Sequence, residues 1–247
     1  EDPTFRVNED PETGQTIIRG MGELHLDVIV DRLGREYGVR TRVGKPQVVF
    51  RETIGRPAEA EARFERRLED ESIFGQVRVK VAPRPRHAGN VLSLRLPELP
   101  LIPPVIAEAA LSGITEATTS GPAGYPLEDI EVIVVAVEFR EGAAPELGTK
   151  IAASEAFRRA LAEADPRLLE PIMDVETVVS EEFLGAVIGD LNQRRGRIED
   201  VGARGDKRVI KVKVPLQRMF GYSTDLRSLS KGRATFSMQF AEYDSWG

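Results

Sequence analysis

The sequence predicts an α/β protein, of the α+β kind, arranged as three consecutive modules. In some segments apolar residues recur at three- and four-residue steps, which is typical of amphipathic helices. In other segments they alternate with polar residues, which is typical of half-buried strands. Hydrophobic residues make up 41% of the chain, which is enough for a buried core. Glycine- and proline-containing junctions place the modules at residues 1–46, 47–164 and 165–247.

The first module is predicted to contain one helix between two strands. Apolar residues at helical spacing support the helix, and Gly38 follows it in the position of a left-handed C-terminal cap. The strand, the helix and the second strand are predicted at residues 16–18, 23–37 and 39–43. These elements form only a very small core, so we expect this module to be an incomplete domain.

The second module is predicted to combine a sheet with two helices. Its strands are expected at residues 48–53, 59–67, 74–81 and 130–137, and its helices at residues 105–114 and 150–162. Six prolines between residues 83 and 104 indicate a long loop before the first helix. Glycines and prolines at residues 120–126 indicate a second, rigid loop.

The third module shows the order strand, helix, strand, strand, helix, strand. The elements are predicted at residues 172–179, 181–195, 198–201, 209–214, 221–229 and 234–240. Ser180 is a suitable N-cap for the first of these helices, and Gly196 is placed to cap its C-terminus. This order is the split βαβ pattern of ferredoxin-like domains. The first module matches the later part of the same pattern, which indicates a weak internal repeat.

The charge distribution is asymmetric along the chain. The formal net charge is −6, yet residues 193–233 contain twelve basic and four acidic residues and are net +8. Such an asymmetry favours a polyanionic partner for this part of the molecule. A solvated sheet face would give the same composition, so charge alone leaves both interpretations open.

Several function classes lack the residues that their chemistry needs. The sequence contains no cysteine, and its two histidines, His25 and His87, are far apart, so thiolate and histidine-rich metal sites are not expected. No G-x-x-x-x-G-K-[ST] loop is present, so we expect this chain neither to bind nor to hydrolyse GTP. No apolar run approaches the ~20 residues of a membrane span, and the first residues do not resemble a signal peptide. We therefore expect a cytoplasmic protein that does not bind membranes.

Three longer strings resemble one family of translation factors. They are IRGMGELHLD at residues 18–27, LEPIM at residues 169–173 with VIGDLNQRRG at residues 187–196, and MFGYSTDLRS at residues 219–228. They occur in the same order, at similar separations, in translation elongation factor G. The chain therefore resembles the C-terminal half of this family over essentially its whole length.

The resemblance implies a fold for each module. It identifies the modules as domains III, IV and V, of which III and V are ferredoxin-like. Domain IV is similar to the second domain of ribosomal protein S5, with a left-handed βαβ crossover. A GTPase domain and a β-barrel precede these domains in the family, so we expect this chain to be a fragment. GTP and magnesium are then expected in the absent GTPase domain, with no cofactor or metal in this chain, which we expect to be a monomer.

The resemblance also implies two contact surfaces on the ribosome. Domain V faces ribosomal RNA near the factor-binding centre, and the tip of domain IV enters the decoding site. In domain V the implied contacts are Arg194, Arg195, Tyr222, Arg227, Lys231 and Arg233. In the domain IV tip they are Gly121, Pro122, Gly124, Tyr125, Arg140, Glu141 and Gly142. The apolar Met219, Phe220 and Leu226 are expected to be core residues.

Two departures from the family pattern bear on function. The stretches at residues 67–75 and 139–146 lack the glycine-rich string and the histidine-containing string of typical translocases. The primary expectation is GTP-driven tRNA–mRNA translocation by the full-length protein. The alternative is a paralogue that splits ribosomes together with a recycling factor, since such paralogues lack the same strings. A standalone RNA-binding protein is a third hypothesis, which the incomplete first module argues against.

Overall fold

The computed structural model describes residues 6–11, 14–19, 23–39, 41, 43–44, 47–67, 72–96 and 101–246. The chain forms two compact units. One consists of Glu1–Val49 together with Glu170–Gly247, and the other consists of Phe50–Leu169. None of the described helices is both long enough and apolar enough to cross a membrane.

The N-terminal part of the first unit is a hairpin followed by a helix. The elements are β1 (Arg6–Glu9), β2 (Thr16–Arg19) and α1 (Glu23–Tyr37). The two strands pair antiparallel, and Gly38 ends the helix with a φ of +69°. The predicted helix has the bounds that the sequence indicated, because its apolar spacing and its terminal glycine are local signals.

The second strand predicted for this part is wrong. Val39 and Val43 lie outside any strand, and they are 47% and 65% exposed. An alternating pattern defines a strand only when one of its faces is buried, and neither valine is. Conversely β1 was not predicted. The motif residues 20–22 and the side chain of His25 lie outside the described part of the chain.

The second unit is a four-stranded sheet covered by two helices, with a short strand beside it. Its elements are β3 (Arg51–Ile54), β4 (Ala58–Arg67), β5 (Ser72–Pro83), β6 (Val91–Leu94), α2 (Pro104–Ala117), β7 (Ile130–Phe139) and α3 (Pro145–Glu163). The sheet order is β4-β5-β7-β6, and β6 is parallel to β7 whereas the other pairs are antiparallel. The β6–α2–β7 connection is thus a βαβ crossover, whose left hand stays a prediction.

Small residues let α3 lie close to its neighbours in this unit. Ala152, Ala153, Ala156 and Ala160 are fully buried in the core. A Cβ added to Gly148 would lie 2.3 Å from the carbonyl oxygen of Phe74 in β5. The helix therefore packs directly against the sheet backbone, at a distance that a larger residue would prevent.

The C-terminal part of the first unit has the ferredoxin-like topology. Its elements are β8 (Pro166–Ser180), α4 (Leu184–Gln193), β9 (Arg197–Arg204), β10 (Lys207–Pro215), α5 (Leu216–Met219), α6 (Tyr222–Leu229) and β11 (Thr235–Asp244). The strands pair antiparallel in the order β11-β8-β10-β9. The first four residues of β8 pair instead with β3 and belong to the second unit. The ferredoxin-like prediction for the third module is confirmed.

One face of this sheet packs against α4, α5 and α6. Met173, Val175 and Val179 of β8 lie in one cluster with Ile210, Val212 and Val214 of β10 and with helix residues such as Val187 and Leu191. Met219 and Leu226 are buried as expected, whereas Phe220 is only half-buried. Ser180 lies at the N-cap position of the 3-10 turn Glu181–Phe183, which precedes α4, but its side chain makes no capping hydrogen bond. The predicted N-cap is therefore corrected.

Candidate nucleic-acid interface

Arg194 is occupied by contacts within its own unit. Its side chain is 12% exposed and donates through Nε to Asp190 Oδ2 at 2.8 Å and through Nη1 to the carbonyl oxygen of Arg218 at 2.7 Å. The same guanidinium pairs with Asp225 and lies over the ring of Tyr222, 5.1 Å from its centroid. The side chain therefore joins α4 to α5 and α6, which leaves it few donors for a ligand.

Tyr222 is a core residue. It is fully buried, and its hydroxyl is 2.9 Å from Thr177 Oγ1 in β8. Its ring meets Phe236 edge to face at a centroid distance of 4.9 Å. Burial is the main cause that raises the pKa of Tyr222 above its usual range. The surface contact that the sequence assigned to this ring does not fit its burial.

Arg195, rather than Gly196, has the left-handed backbone at the end of α4. The φ of Arg195 is +61°. The N–H of Arg195 donates to the carbonyl oxygen of Asn192, and the N–H of Gly196 donates to the carbonyl oxygen of Leu191. These are the two hydrogen bonds of a Schellman motif. Gly196 is required for another reason, since a Cβ there would lie 2.7 Å from the Leu191 carbonyl oxygen. The predicted cap thus moves by one residue, and Arg195 remains exposed.

Arg227, Lys231 and Arg233 are exposed, and the last two lie beside the 3-10 turn at Glu181–Phe183. Arg233 Nη1 is 2.8 Å from Glu182 Oε1, and Lys231 Nζ lies 6.0 Å from the centroid of the Phe183 ring. Gly232 donates its N–H to the carbonyl of Arg227 at 2.8 Å, which closes the turn after α6. These three cations remain candidates for phosphate contacts, although a glutamate already neutralises one of them.

Other basic residues of the stretch are also paired within the unit. Arg204 lies 3.0 Å from Glu176, Lys213 lies 2.6 Å from Glu242, and Arg208 pairs with Glu181. The hydrogen bond that Lys213 donates to the Glu242 carboxylate raises the pKa of Lys213. The acids of these pairs lie outside residues 193–233, so sequence counting overstates the local positive charge.

The loop at residues 121–125 wraps around a buried carboxylate. Glu52 is 1% exposed, and its carboxylate accepts hydrogen bonds from the N–H of Ala123 at 3.0 Å and of Tyr125 at 2.8 Å. Gly121 allows this close approach, because a Cβ there would lie 2.7 Å from the Glu52 carboxyl carbon. The exposed Pro122 and Gly124, the latter with a φ of +94°, complete the loop. Burial of the acidic side chain therefore gives this loop a defined shape.

Arg140 is held by two neighbours at the other end of the unit. Its Nη1 lies 2.9 Å from Glu65 Oε1, and its guanidinium lies 4.0 Å from the centroid of the Phe74 ring. Arg63 binds the second oxygen of Glu65, and hydrogen bonds from Arg63 and then from Arg140 lower the pKa of Glu65. Glu141 and Gly142 follow as an exposed turn, in which Gly142 has a φ of +73°.

The structure does not bring the two segments of the predicted tip together. The loop at residues 121–125 is anchored beside Leu127 through Glu52, just before Ile130 begins β7. Arg140 directly follows Phe139, which ends that strand. Nine steps of a strand separate its ends by about 30 Å. Only residues 140–142 therefore lie at the end of the unit where β4 connects to β5. Gly121, Pro122, Gly124 and Tyr125 lie at the opposite end, so their assignment to the tip is corrected.

Three models of one family match consecutive parts of the chain. Residues 1–45 match "Elongation Factor G, domain III", residues 46–165 match "Elongation factor G, domain IV", and residues 167–247 match "Elongation factor G C-terminus". The chain belongs to the elongation factor G family.

Within the described residues, no group of histidine, aspartate and glutamate side chains could hold a metal ion.

Relatives and a solved structure support the same assignment. Elongation factor G of Thermotoga petrophila is 47% identical over 98% of this chain, and elongation factor G 2 of Syntrophus aciditrophicus is 46% identical over 99%. A crystal structure of a protein from Thermus thermophilus covers 98% of the chain with a TM-score of 0.82 and 33% identity. The chain spans 35% of the first relative, 36% of the second and 36% of the solved chain, so it corresponds to about a third of an elongation factor G.

Sequence reasoning missed three residues that shape these surfaces. Glu52 was not singled out, although an acid on the same strand face as the apolar Phe50 and Ile54, two residues away on either side, was a usable signal. Arg218 and Trp246 were also not assigned to a site. Arg218 differs from other exposed arginines only through its neighbours in space, so no sequence signal distinguished it.

Proposed function

We propose that this chain is the ribosome-binding C-terminal part of an elongation factor G family GTPase that drives tRNA–mRNA translocation in the cytoplasm. The observation that carries the proposal is the match of three consecutive elongation factor G domain models from residue 1 to residue 247. Exposed cations on the ferredoxin-like part, among them Arg195, Arg227 and Lys231, support contact with ribosomal RNA.

In this proposal the chemistry and the mechanical contact are on different parts of the full-length protein. GTP and magnesium bind in a GTPase domain outside this chain. The ferredoxin-like part faces ribosomal RNA at the factor-binding centre, and the tip with residues 140–142 acts on tRNA–mRNA or on an intersubunit contact. The protein acts as a monomer on one ribosome.

Ribosome binding is tested with the 247-residue chain itself. We expect it to sediment with 70S ribosomes through a sucrose cushion at low salt and to be released as the KCl concentration rises, because phosphate contacts displace counterions. The chain without ribosomes should stay in the supernatant. Absence of ribosome-dependent sedimentation at low salt would contradict the proposal.

Ribosome recycling is a second candidate, and it is favoured by the contacts that engage the Arg140 side chain. This cation of the tip is engaged by Glu65 at 2.9 Å and by the Phe74 ring, and the two next charged residues, Glu141 and Glu146, are acidic. Phosphate groups of tRNA and mRNA are repelled by such acids. The tip chemistry therefore suits an intersubunit protein contact at least as well as a nucleic acid.

The two candidates are separated with the full-length protein. Single-round tRNA–mRNA translocation is measured on pre-translocation ribosomes, and subunit splitting is measured by light scattering on post-termination ribosomes with a recycling factor. Fast translocation removes the recycling-only interpretation. Splitting without translocation removes the primary proposal and establishes the second.

A further inference from the structure

Two arginines, a phenylalanine and a glutamate contact one another at the tip of the second unit. Arg140 Nη1 lies 2.9 Å from Glu65 Oε1, and Arg63 pairs with the other oxygen of the same carboxylate. Both guanidiniums also lie over the ring of Phe74, 4.0 Å from its centroid for Arg140 and 5.3 Å for Arg63. We call these four residues the tip cluster. It joins the two stretches that depart from the family pattern, residues 67–75 and 139–146.

Phe74 gives the tip cluster a fixed platform. The residue is 4% exposed, and a Cβ added to Gly148 of α3 would lie 2.3 Å from the Phe74 carbonyl oxygen. The backbone of α3 therefore holds the Phe74 backbone in place. A guanidinium over an aromatic face is attracted to it, so the ring in turn defines where the Arg140 side chain lies.

The turn that follows Arg140 is held at both of its ends. The N–H of Ala143 donates to the carbonyl oxygen of Arg140 at 3.2 Å, and Gly142, the third residue of this turn, has a φ of +73°. The carbonyl oxygen of the buried Ala143 accepts a hydrogen bond from the N–H of Phe74 at 2.9 Å. Ala144 has a φ of +35°, which is disfavoured for residues other than glycine. Backbone strain of this kind persists only where the surrounding structure enforces it, and it is concentrated at functional sites.

The electrostatics of the tip cluster favour a role in positioning over a role in stability. Hydrogen bonds from Arg63 and then from Arg140 lower the pKa of Glu65, so its carboxylate is ionised at neutral pH. The side chains of Arg63 and Arg140 are each 53% exposed. Ion pairs that are exposed to this extent contribute little to the free energy of unfolding, and a partner can reach both guanidiniums.

We infer that Glu65 and Phe74 are positioning residues, which hold the Arg140 side chain and the turn at residues 140–143 in the arrangement that acts in tRNA–mRNA translocation. This inference rests on the proposed function and assigns roles to residues outside the turn itself. Glu65 acts through Arg140, because its carboxylate is engaged by that guanidinium and by Arg63. The opposite role is a mask, in which Glu65 withholds the donors of Arg140 from the partner. The sign of the effect in the test separates the two roles.

The test compares three activities of the full-length protein carrying Glu65→Gln. We expect single-round translocation at saturating factor to be roughly three- to tenfold slower, because the amide keeps the side-chain volume but loses the charge-assisted hydrogen bonds. Ribosome-dependent GTP hydrolysis and sedimentation with ribosomes should be unchanged, since the proposed function assigns them to other parts of the protein. Glu65→Asp keeps the carboxylate and should restore part of the translocation rate.

Glu61→Gln is the matched control. Glu61 lies on the same face of β4, about 13 Å further from the tip, and it binds Arg78 and Gln76 at 2.9 Å each. We expect this variant to retain all three activities, and circular dichroism checks that each variant is folded. Glu65→Gln combined with Arg140→Gln should be no slower than Arg140→Gln alone, because residues that act through one another are not additive.

Several results would overturn the inference. Translocation by Glu65→Gln at the unchanged rate would show that the carboxylate is not needed, and faster translocation would show that it masks Arg140. Equal losses in Glu65→Gln and Glu61→Gln, or a parallel fall in GTP hydrolysis, would indicate a general effect of charge or folding. In all of these cases the unchanged protein translocates, so the proposed function stands. If the unchanged full-length protein does not translocate, the proposed function fails and the inference fails with it.

Discussion

At the scale of single residues, burial and backbone conformation decide which polar groups face a partner. Tyr222 and Arg194 were both assigned to a contact surface by resemblance, yet one is fully buried and the other is engaged by two aspartates. Arg195, next in the chain, is exposed and left-handed. Neighbouring residues in one motif therefore have opposite roles, one in stability and one at the surface.

Replacing Arg195 by glycine should separate these roles. Arg195→Gly relieves a left-handed non-glycine residue, so we expect the free energy of unfolding to rise by about 1 kcal/mol. Urea denaturation followed by circular dichroism measures this change. Arg197→Gly is the control, because Arg197 lies in β9 and glycine there should lower stability by roughly 0.5–1 kcal/mol. Equal losses in both variants would contradict the role given to the Arg195 backbone.

The buried Glu52 gives a second prediction at this scale. Glu52→Gln keeps the side-chain volume but turns one acceptor into a donor that faces the N–H groups of Ala123 and Tyr125. We expect a loss of about 1–3 kcal/mol in the free energy of unfolding. Glu59→Gln, at an exposed position of β4, should change stability by less than about 0.5 kcal/mol. A neutral Glu52→Gln would show that the loop does not depend on the carboxylate.

At the scale of elements, glycines mark where a helix approaches its neighbours closely. Gly148 places α3 against the Phe74 backbone of β5, and a Cβ on Gly113 of α2 would lie 2.3 Å from the carbonyl oxygen of Lys150 in α3. In α4, by contrast, a Cβ on Gly189 would meet nothing within 4 Å. The same residue type therefore has opposite energetic consequences in two helices, which only packing distinguishes.

Alanine at these two helical glycines should change stability in opposite directions. Gly148→Ala forces the helix away from β5 and should lower the free energy of unfolding by about 1–3 kcal/mol or more. Gly189→Ala removes the helix penalty of glycine in open space and should raise it by up to about 1 kcal/mol. Thermal unfolding of both variants measures the difference. Stabilisation by Gly148→Ala would show that the close approach of α3 is not required.

At the scale of the whole molecule, our proposal assigns ribosome contact to this chain and nucleotide binding to another part of the full-length protein. The sequence has no phosphate-binding loop, and it matches about a third of the length of its relatives. The charge is also uneven, because a chain with a formal net charge of −6 carries a net +8 stretch at residues 193–233. Ribosome contact and nucleotide chemistry should therefore be separable by experiment.

Isothermal titration calorimetry tests this separation. We expect no saturable heat when GTP and magnesium are titrated into the 247-residue chain, because backbone N–H groups and a lysine in a P-loop are what hold the phosphates. The full-length protein under the same conditions is the positive control. Saturable binding of GTP by the chain alone would overturn this expectation.

The sequence by itself determined the family, the α/β class, helix α1 and the element order of the ferredoxin-like part. These features follow from strings of residues and from local periodicity, which need no knowledge of distant neighbours. Only the tertiary structure decided that Tyr222 is buried, that β6 pairs with β7, and that residues 121–125 and 140–142 lie at opposite ends of one strand. It also decided that Arg194 pairs with Asp225 and Arg208 with Glu181, because an ion pair depends on the distance between side chains that are far apart in the sequence.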